Sequence, residues 1–244
     1  MNIIDRVRQK LTQAGDETNR QGAKRYFKEE IRVYGVKNSE VHRVARECFR
    51  EIKTESKDEI FNLCEELWKS GFMEESFVAC DWSYSVHKHY QPSDMSIFER
   101  WVNNYVSNWA SCDTLCNHTV GTLVEMYPQE VSKLKSWALA ENRWMRRGAA
   151  VSLIVPARAG LFLKEIFKIA DTLLQDKDDL VQKGYGWMLK AASEKHNQKE
   201  VFDFVMSRKG NMPRTALRYA IEKMPQDLRA QAMAKPGADA EQNN

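Results

Sequence analysis

The segment Arg147-Gly-Ala-Ala-Val-Ser-Leu-Ile154 decides how this chain is expected to fold, because two later segments repeat its pattern. Lys183-Gly-Tyr-Gly-Trp-Met-Leu-Lys190 and Arg214-Thr-Ala-Leu-Arg-Tyr-Ala-Ile221 also begin with a basic residue that small and then apolar residues follow. Their first residues are 36 and 31 positions apart, and Asp113 and Ser76 stand at the same phase upstream. A period in the thirties with two helices per unit is typical of HEAT-like and related helical repeats.

Helix-start and helix-stop residues recur along the whole chain. Ser56-Lys-Asp-Glu59 has the pattern of a capping box and precedes an amphipathic run that ends at Gly71. Pro128 and Pro213 each stand where a new helix could begin. The predicted helices are 2–14, 17–33, 39–52, 57–70, 73–90, 94–107, 110–126, 129–140, 143–155, 160–175, 178–194, 198–208, 213–224 and 226–233.

Apolar and polar residues nowhere alternate with a sustained period of two, so essentially no sheet is expected. We predict an all-α, HEAT-like helical-repeat solenoid formed as a single domain over residues 1–234, and a disordered tail over 235–244. A curved stack of helices has a concave inner surface, and residues at one phase of the repeat would line it.

Composition narrows the class of protein. The 244 residues are 43% hydrophobic and 29% charged, which is enough to bury a substantial core. No apolar run reaches eighteen residues, and the first ten residues carry charges within their apolar pattern, so we expect neither a membrane span nor a signal peptide. Five irregularly spaced cysteines do not form a disulfide framework, which fits a reducing cytoplasm.

Charge is unevenly distributed between the two halves. Residues 1–127 contain 17 basic and 20 acidic side chains, a net charge of −3, whereas residues 128–244 contain 20 basic and 14 acidic side chains, a net charge of +6. A basic C-terminal half is compatible with a polyanionic partner.

Four residues at repeat spacing suggest a ligand, namely Trp109, Asp113, Arg147 and Trp187. Trp109 and Asp113 are four apart and therefore share one face of a helix. Arg147 follows Asp113 by 34 residues, Lys183 follows Arg147 by 36, and Trp187 is one turn beyond Lys183. Two indoles, a carboxylate and a guanidinium at one phase suit a ligand that is both flat and charged, such as DNA with a damaged base.

Three short motifs resemble the AlkD-type DNA alkylation repair glycosylases, a family built from HEAT-like repeats. They are Trp109-Ala-Ser-Cys-Asp113, Asn142-Arg-Trp-Met-Arg-Arg-Gly-Ala-Ala150 and Val181-Gln-Lys-Gly-Tyr-Gly-Trp187. A fourth likeness, Arg25-Tyr-Phe-Lys28 with Tyr34-Gly-Val36, extends the resemblance from about residue 20 to residue 224. Ser39 stands where the family has a proline, at a helix start away from the chemistry.

The resemblance implies an enzyme that hydrolyses the N-glycosidic bond of 3-methyladenine and 7-methylguanine in duplex DNA, as a monomer without a cofactor or metal. It implies catalytic roles for Asp113, Trp109 and Trp187, contact with the DNA backbone for Arg147, and a position near the lesion for Tyr26. A concave DNA-binding face would be extended by further basic residues, namely Lys183, Arg146, Arg214 and Arg218.

Other interpretations remain open from the residues alone. Tryptophans at helical spacing are more often core residues than site residues, and we assign Trp68, Trp82, Trp101, Trp137 and Trp144 to packing. Asp113 could be a surface residue or a helix cap, or could form a salt bridge between repeats with Arg147. Cys112, Cys116 and His118 lack a second ligand pair at suitable spacing, so a zinc site is disfavoured.

Two other functions compete with excision. The chain could bind branched or distorted DNA without cleaving it, although a binder has no need of a carboxylate at Asp113. It could instead be a helical-repeat scaffold for other proteins, and insensitivity of binding to salt would favour that alternative.

Overall fold

A computed structural model describes residues 2–234, and within this range every regular element is helical. Residues up to Tyr127 form one compact unit and those from Pro128 onward form another. The helices of the first unit are α1 (Ile3–Ala14), α2 (Glu17–Tyr26), α3 (Asn38–Ile52), α4 (Lys57–Lys69), α5 (Met73–Ser85), α6 (Met95–Asn104), α7 (Trp109–Thr114) and α8 (Gly121–Met126). The helices of the second unit are α9 (Val131–Trp137), α10 (Arg143–Val151), α11 (Ile154–Arg158), α12 (Leu163–Thr172), α13 (Asp179–Ser193), α14 (Gln198–Arg208), α15 (Arg214–Ala220) and α16 (Gln226–Met233).

The predicted all-α fold is confirmed, and several local signals act as expected. The Ser56 side chain accepts from the Glu59 N–H while Glu59 accepts from the Ser56 N–H, which completes the capping box of α4. Pro213 caps α15, and Pro128 begins a short 3₁₀ turn that leads into α9. The single-domain prediction over residues 1–234 stays a prediction, and the predicted tail 235–244 lies outside the described residues.

The predicted helix 17–33 is too long, because α2 ends at Tyr26. The buried carboxylate of Glu74 accepts backbone N–H bonds from Tyr34 at 3.1 Å and from Gly35 at 2.8 Å and Val36 at 3.1 Å. Just before them, Arg32 forms a β-bridge with Phe72 and its carbonyl accepts from the Met73 N–H at 2.9 Å, a pairing that a helix through residue 33 could not share. Gly35 has a φ of 84°, a left-handed conformation in which glycine carries no steric penalty.

Other helix boundaries also differ from the predicted ones. The predicted helix 143–155 ends at Val151, and α11 is a separate helix that contains Pro156. The predicted helix 160–175 begins only at Leu163, because Phe162 adopts a left-handed conformation with a φ of 60°. The predicted helix 110–126 is continuous, but a π-helical segment, Leu115–Val120, joins α7 to α8.

Each unit has its own apolar core. In the first unit, Phe61, Phe98 and Trp101 pack edge to face or tilted, with ring centroids 5.5–5.6 Å apart. In the second unit, Tyr185 is fully buried and its hydroxyl donates to the Leu174 carbonyl at 3.0 Å. Among residues 2–234, no helix combines the length and apolar character that crossing a membrane requires.

Candidate functional site

The start of α7 is fixed by a chain of buried polar groups. The Asn108 side chain accepts from the Ser111 N–H at 2.9 Å and donates to the Ser111 hydroxyl at 3.1 Å. The Ser111 hydroxyl in turn lies 2.7 Å from that of Ser76 on α5. All three side chains are buried, and Ser111 links the other two, while the Ser76 hydroxyl also bonds to the Met73 carbonyl at 2.7 Å. The first turn of α7, which carries Trp109, is thereby held against α5.

A second hydroxyl pair explains the π-helical segment that follows α7. Ser83 and Thr119 lie 3.4 Å apart, two turns beyond the Ser76–Ser111 pair. Seven residues separate the two serines of α5, whereas eight separate Ser111 from Thr119. A π turn is wider than an α turn and accommodates the additional residue while both pairs stay in register. Such insertions are frequent at functional sites.

Trp109 and Asp113 stand one turn apart on α7, and both are half-buried. Their positions place the two side chains on one face of the helix. The sequence-based expectation of a helical i, i+4 pair is therefore met. On a neighbouring side of the same turn, the Thr114 hydroxyl donates to the Ala110 carbonyl at 2.8 Å.

Trp109 belongs to an aromatic cluster with Tyr26 and Phe27. The Phe27 ring stacks on the indole, with centroids 5.4 Å apart and planes inclined by 20°. Tyr26 approaches the indole edge-on at 6.1 Å and is 71% exposed. Tyr26, for which the resemblance implies a position near the lesion, is thus beside Trp109 at the end of α2.

The segment that carries Phe27 is anchored by two buried carboxylates. Glu74 binds the backbone as described above, and Glu75 accepts from the Tyr34 hydroxyl at 2.7 Å and from Arg8 at 3.2 Å. Burial, followed by the bond to Glu75, raises the pKa of Tyr34 above its ordinary value. The tyrosine therefore remains a neutral donor to this carboxylate throughout the physiological range.

Arg147 lies in the second unit, buried between α10 and α13. Its guanidinium Nη1 donates to the Leu180 carbonyl, and only 5% of the residue is exposed. A Cβ added at Gly184 would lie 3.4 Å from the Arg147 Cγ, so the absence of a side chain at Gly184 makes space for the Arg147 side chain. The residue that the resemblance assigns to DNA contact is thus also a tie between two helices.

The residues of the motif Lys183-Gly-Tyr-Gly-Trp187, on α13, each have a different environment. A Cβ at Gly186 would lie 2.7 Å from both the Ala216 carbonyl and the Tyr219 Cβ, so this glycine allows α15 to pack closely. Burial raises the pKa of Tyr185, the fully buried residue between the two glycines. Lys183 pairs with Asp179 at 2.9 Å, and Trp187 is half-buried one turn further on.

The other predicted DNA contacts differ in accessibility. Arg146 bonds to Asp176 at 2.6 Å and to the carbonyls of Ala140 and Glu141, so a phosphate would have to compete with these partners. Arg214 and Arg218 are exposed on α15. Arg218 lines an open groove of about 590 Å³ between α15 and α16.

Burial separates the seven tryptophans as the sequence predicted. The five assigned to packing are buried, whereas the two assigned to the site are half-buried; the buried ones are Trp68, Trp82, Trp101, Trp137 and Trp144. Cys112 and Cys116 are buried free thiols. Among the described residues, no three potential ligands of the His, Cys, Asp and Glu types form a group that could hold a metal.

Sequence reasoning missed Phe27, Asn108 and Ser111. Phe27 lies within the Arg25-Tyr-Phe-Lys28 motif, but nothing in the sequence assigns it a role. Asn108 directly precedes Trp109 and is an N-cap residue by type, with Ser111 three residues later. That capping pattern could have identified both residues.

Comparison with known proteins identifies a family to which the sequence is similar. A family model described as DNA alkylation repair enzyme matches residues 7–224. The fold is similar to a solved structure, "Predicted DNA alkylation repair enzyme from Enterococcus faecalis", with a TM-score of 0.78 and 18% sequence identity over 87% of this chain and 97% of that chain. No curated protein matches the sequence.

Proposed function

The chain belongs to the DNA alkylation repair enzyme family, and we propose that it is a monofunctional DNA glycosylase for cationic alkylated purines in duplex DNA. Its substrates are 3-methyladenine and 7-methylguanine, and water is the nucleophile. The observation that carries this proposal is the pairing of a carboxylate, Asp113, with an indole, Trp109, on one half-buried helical face.

The proposed reaction does not require a general acid. A purine alkylated at N3 or N7 is positively charged and departs as a neutral base when the glycosidic bond breaks. Positive charge then develops on the deoxyribose, as in other glycoside hydrolyses. A fixed carboxylate at Asp113 stabilises that charge and orients the attacking water, and such electrostatic stabilisation is often the largest contribution to catalysis. One carboxylate therefore suffices.

The tryptophans favour the charged lesion over a normal nucleotide. The face of an indole attracts a cation by about 0.5–2 kcal/mol, depending on how far water is excluded. In this proposal Trp109 and Trp187 both act on the sugar and the alkylated base, and Tyr26 lies beside Trp109 at 6.1 Å. The stacking of Phe27 on Trp109 supports the proposal, because it limits rotation of the indole.

Basic residues of the second unit complete the proposal. Arg147 contacts a backbone phosphate near the lesion, while Lys183, Arg146, Arg214 and Arg218 extend the contact along the DNA without reading sequence. The exposure of Arg214 and Arg218 favours them as phosphate contacts over the buried Arg147 and the paired Arg146. Most glycosylases extrude their base into a pocket. Contact from the backbone side instead would relax the selection for base shape.

The test is release of free base from duplex DNA that contains 7-methylguanine or 3-methyladenine. We expect free methylated base and an equal amount of abasic sites, and no release from an unmodified duplex of the same sequence. Binding of duplex DNA that falls steeply with salt, without any base release, would support the branched-DNA binder. Absence of both release and salt-sensitive binding would support the protein scaffold.

A further inference from the structure

Helix α2 is ten residues long and has no buried residue. Within the described part of the first unit it packs extensively against no other helix. A Cβ added at Gly22, in the middle of α2, would meet nothing within 4 Å. Isolated helices shorter than about 12–15 residues are marginal in water, and a polar helix without an apolar face gains little from packing. Most of the surface of α2 is therefore open to a partner.

Among the described residues, the hydrogen bonds and ring contacts that join α2 to the rest of the first unit lie at its two ends. At the first turn, the Asp16 side chain caps the helix by accepting from the Asn19 N–H at 2.8 Å, and Arg20 donates to the Tyr34 carbonyl at 3.1 Å. At the last turn, Tyr26 and the following Phe27 contact Trp109. The helix therefore bridges two anchors, and the second anchor is part of the candidate site.

The C-terminal end of α2 is basic and accessible. Lys24, Arg25 and Lys28 are exposed, whereas Arg20, in the first half of the helix, pairs with Glu17. Arg25 donates only to the Gln21 carbonyl of the same helix, at 3.3 Å. By contrast, Arg6 and Lys10 of the neighbouring α1 are paired with Glu51 and Glu47.

Two features bear on how this charge is used. Basic residues in the last turn complement the helix dipole, which explains Lys24 and Arg25 in part but not Lys28, which lies beyond the helix. Glu29 and Glu30 follow directly and reduce the local net charge. The positive surface is therefore short, of the size of a contact with a few phosphates rather than with a long acidic surface.

We propose that α2 is a docking arm for the phosphodiester backbone of duplex DNA and that Lys24, Arg25 and Lys28 bind its phosphates. This inference rests on the proposed function, since α2 ends beside Trp109 and a lesion bound there brings the adjoining backbone close. DNA supplies the partner surface that α2 lacks in the free protein. We therefore expect binding to stabilise the helix as well as to neutralise its charge.

The experiment compares the triple variant Lys24→Gln, Arg25→Gln and Lys28→Gln with the wild type on undamaged duplex DNA. Glutamine keeps good helix propensity while it removes the charge. Affinity is measured over a range of salt concentrations, and hydrogen exchange of residues 17–28 is followed with and without DNA. The control is Arg50→Gln, Lys53→Gln and Lys88→Gln, which removes the same charge from exposed residues, two of them at the end of α3.

Each phosphate contact contributes about 0.9 to the slope of log affinity against log salt. We expect the magnitude of this slope to be smaller by two to three in the triple variant and unchanged in the control. In the wild type, DNA should slow hydrogen exchange in α2. Wild-type binding with an unchanged slope in the triple variant, or without slower exchange in α2, would overturn the inference and leave the proposed function standing. A wild type that neither binds duplex DNA nor releases base would remove both.

Discussion

Phe27 stacks on Trp109, with ring centroids 5.4 Å apart and ring planes inclined by 20°. The two residues come from different parts of the chain, one just after α2 and the other at the first position of α7. The contact fixes the orientation of an indole that is only half-buried and would otherwise have more rotational freedom. It links the end of α2 to the helix that carries Asp113.

Replacing Phe27 with leucine should slow base excision. A stacked aromatic pair contributes about 0.5–1.5 kcal/mol beyond its buried area, which corresponds to a roughly two- to tenfold decrease in rate. Phe27→Tyr should restore the stack and the rate. The measurement is single-turnover base release at saturating enzyme, together with affinity for undamaged duplex DNA, which should change little.

Phe167→Leu is the matched control for this prediction. Phe167 is also half-buried and stacks on Phe204, with centroids 4.5 Å apart, in the second unit. Its removal should lower stability without a specific effect on excision. Equal losses of rate in the two leucine variants would show that Phe27 contributes to folding alone.

Ser111→Ala should destabilise the protein. The variant leaves the buried Asn108 amide N–H without its acceptor, whereas the buried Ser76 hydroxyl loses Ser111 but keeps its bond to the Met73 carbonyl. A buried polar group that loses its partner costs about 1–3 kcal/mol. Urea unfolding should therefore show a decrease of that size in the free energy of unfolding. Ser152→Ala should cost less, because Ser152 bonds only to a carbonyl of its own helix.

Gly186→Ala and Gly184→Ala should differ although they are two residues apart on α13. The Cβ at Gly186 would lie 2.7 Å from the Ala216 carbonyl, and forcing such contacts apart costs about 1–3 kcal/mol. The Cβ at Gly184 would lie 3.4 Å from a flexible Arg147 side chain, and a gain in helix propensity of about 1 kcal/mol offsets that contact. Thermal unfolding should therefore rank wild type and Gly184→Ala above Gly186→Ala, and the reverse order would contradict the packing described.

Arg147→Met should weaken both folding and DNA binding. It removes the bond to the Leu180 carbonyl, and hydrogen bonds to charged groups contribute about 1.5–3 kcal/mol. If Arg147 also binds a phosphate, the salt dependence of DNA affinity should fall by about one. A loss of stability with an unchanged salt dependence would restrict Arg147 to its structural contact. Arg158→Met, at a more exposed arginine paired with Glu194, is the control.

The sequence predicted the helical class, several helix starts and the helical pairing of Trp109 with Asp113, because each depends on residues close together in the chain. The repeat spacing together with the family resemblance also separated the buried tryptophans from the two half-buried ones. The helix prediction failed at residues 27–33, where a helical pattern is overridden by backbone pairing of Arg32 with Phe72 and Met73, about forty residues away. The π-helical segment was missed for the same reason, since it depends on hydroxyl pairs with α5.

The individual roles of the basic residues were also beyond the sequence. Arg146 and Arg147 are neighbours of the same type, yet one bonds to Asp176 and the other to the Leu180 carbonyl. Both arginines were predicted to contact DNA, and the sequence contains nothing that separates them from the exposed Arg214 and Arg218. Partners in tertiary structure decide this, and repeat phase alone does not reveal them.

Single-turnover release of 7-methylguanine by wild type and by Asp113→Asn tests the central claim most directly. The substitution keeps the size of the side chain and removes its negative charge, so stabilisation of the developing positive charge on the sugar is lost. We predict a rate at least about 100-fold lower, with affinity for undamaged duplex DNA equal to or slightly higher than that of the wild type. Excision by Asp113→Asn at the wild-type rate would contradict the account, because the carboxylate would then have no part in the reaction.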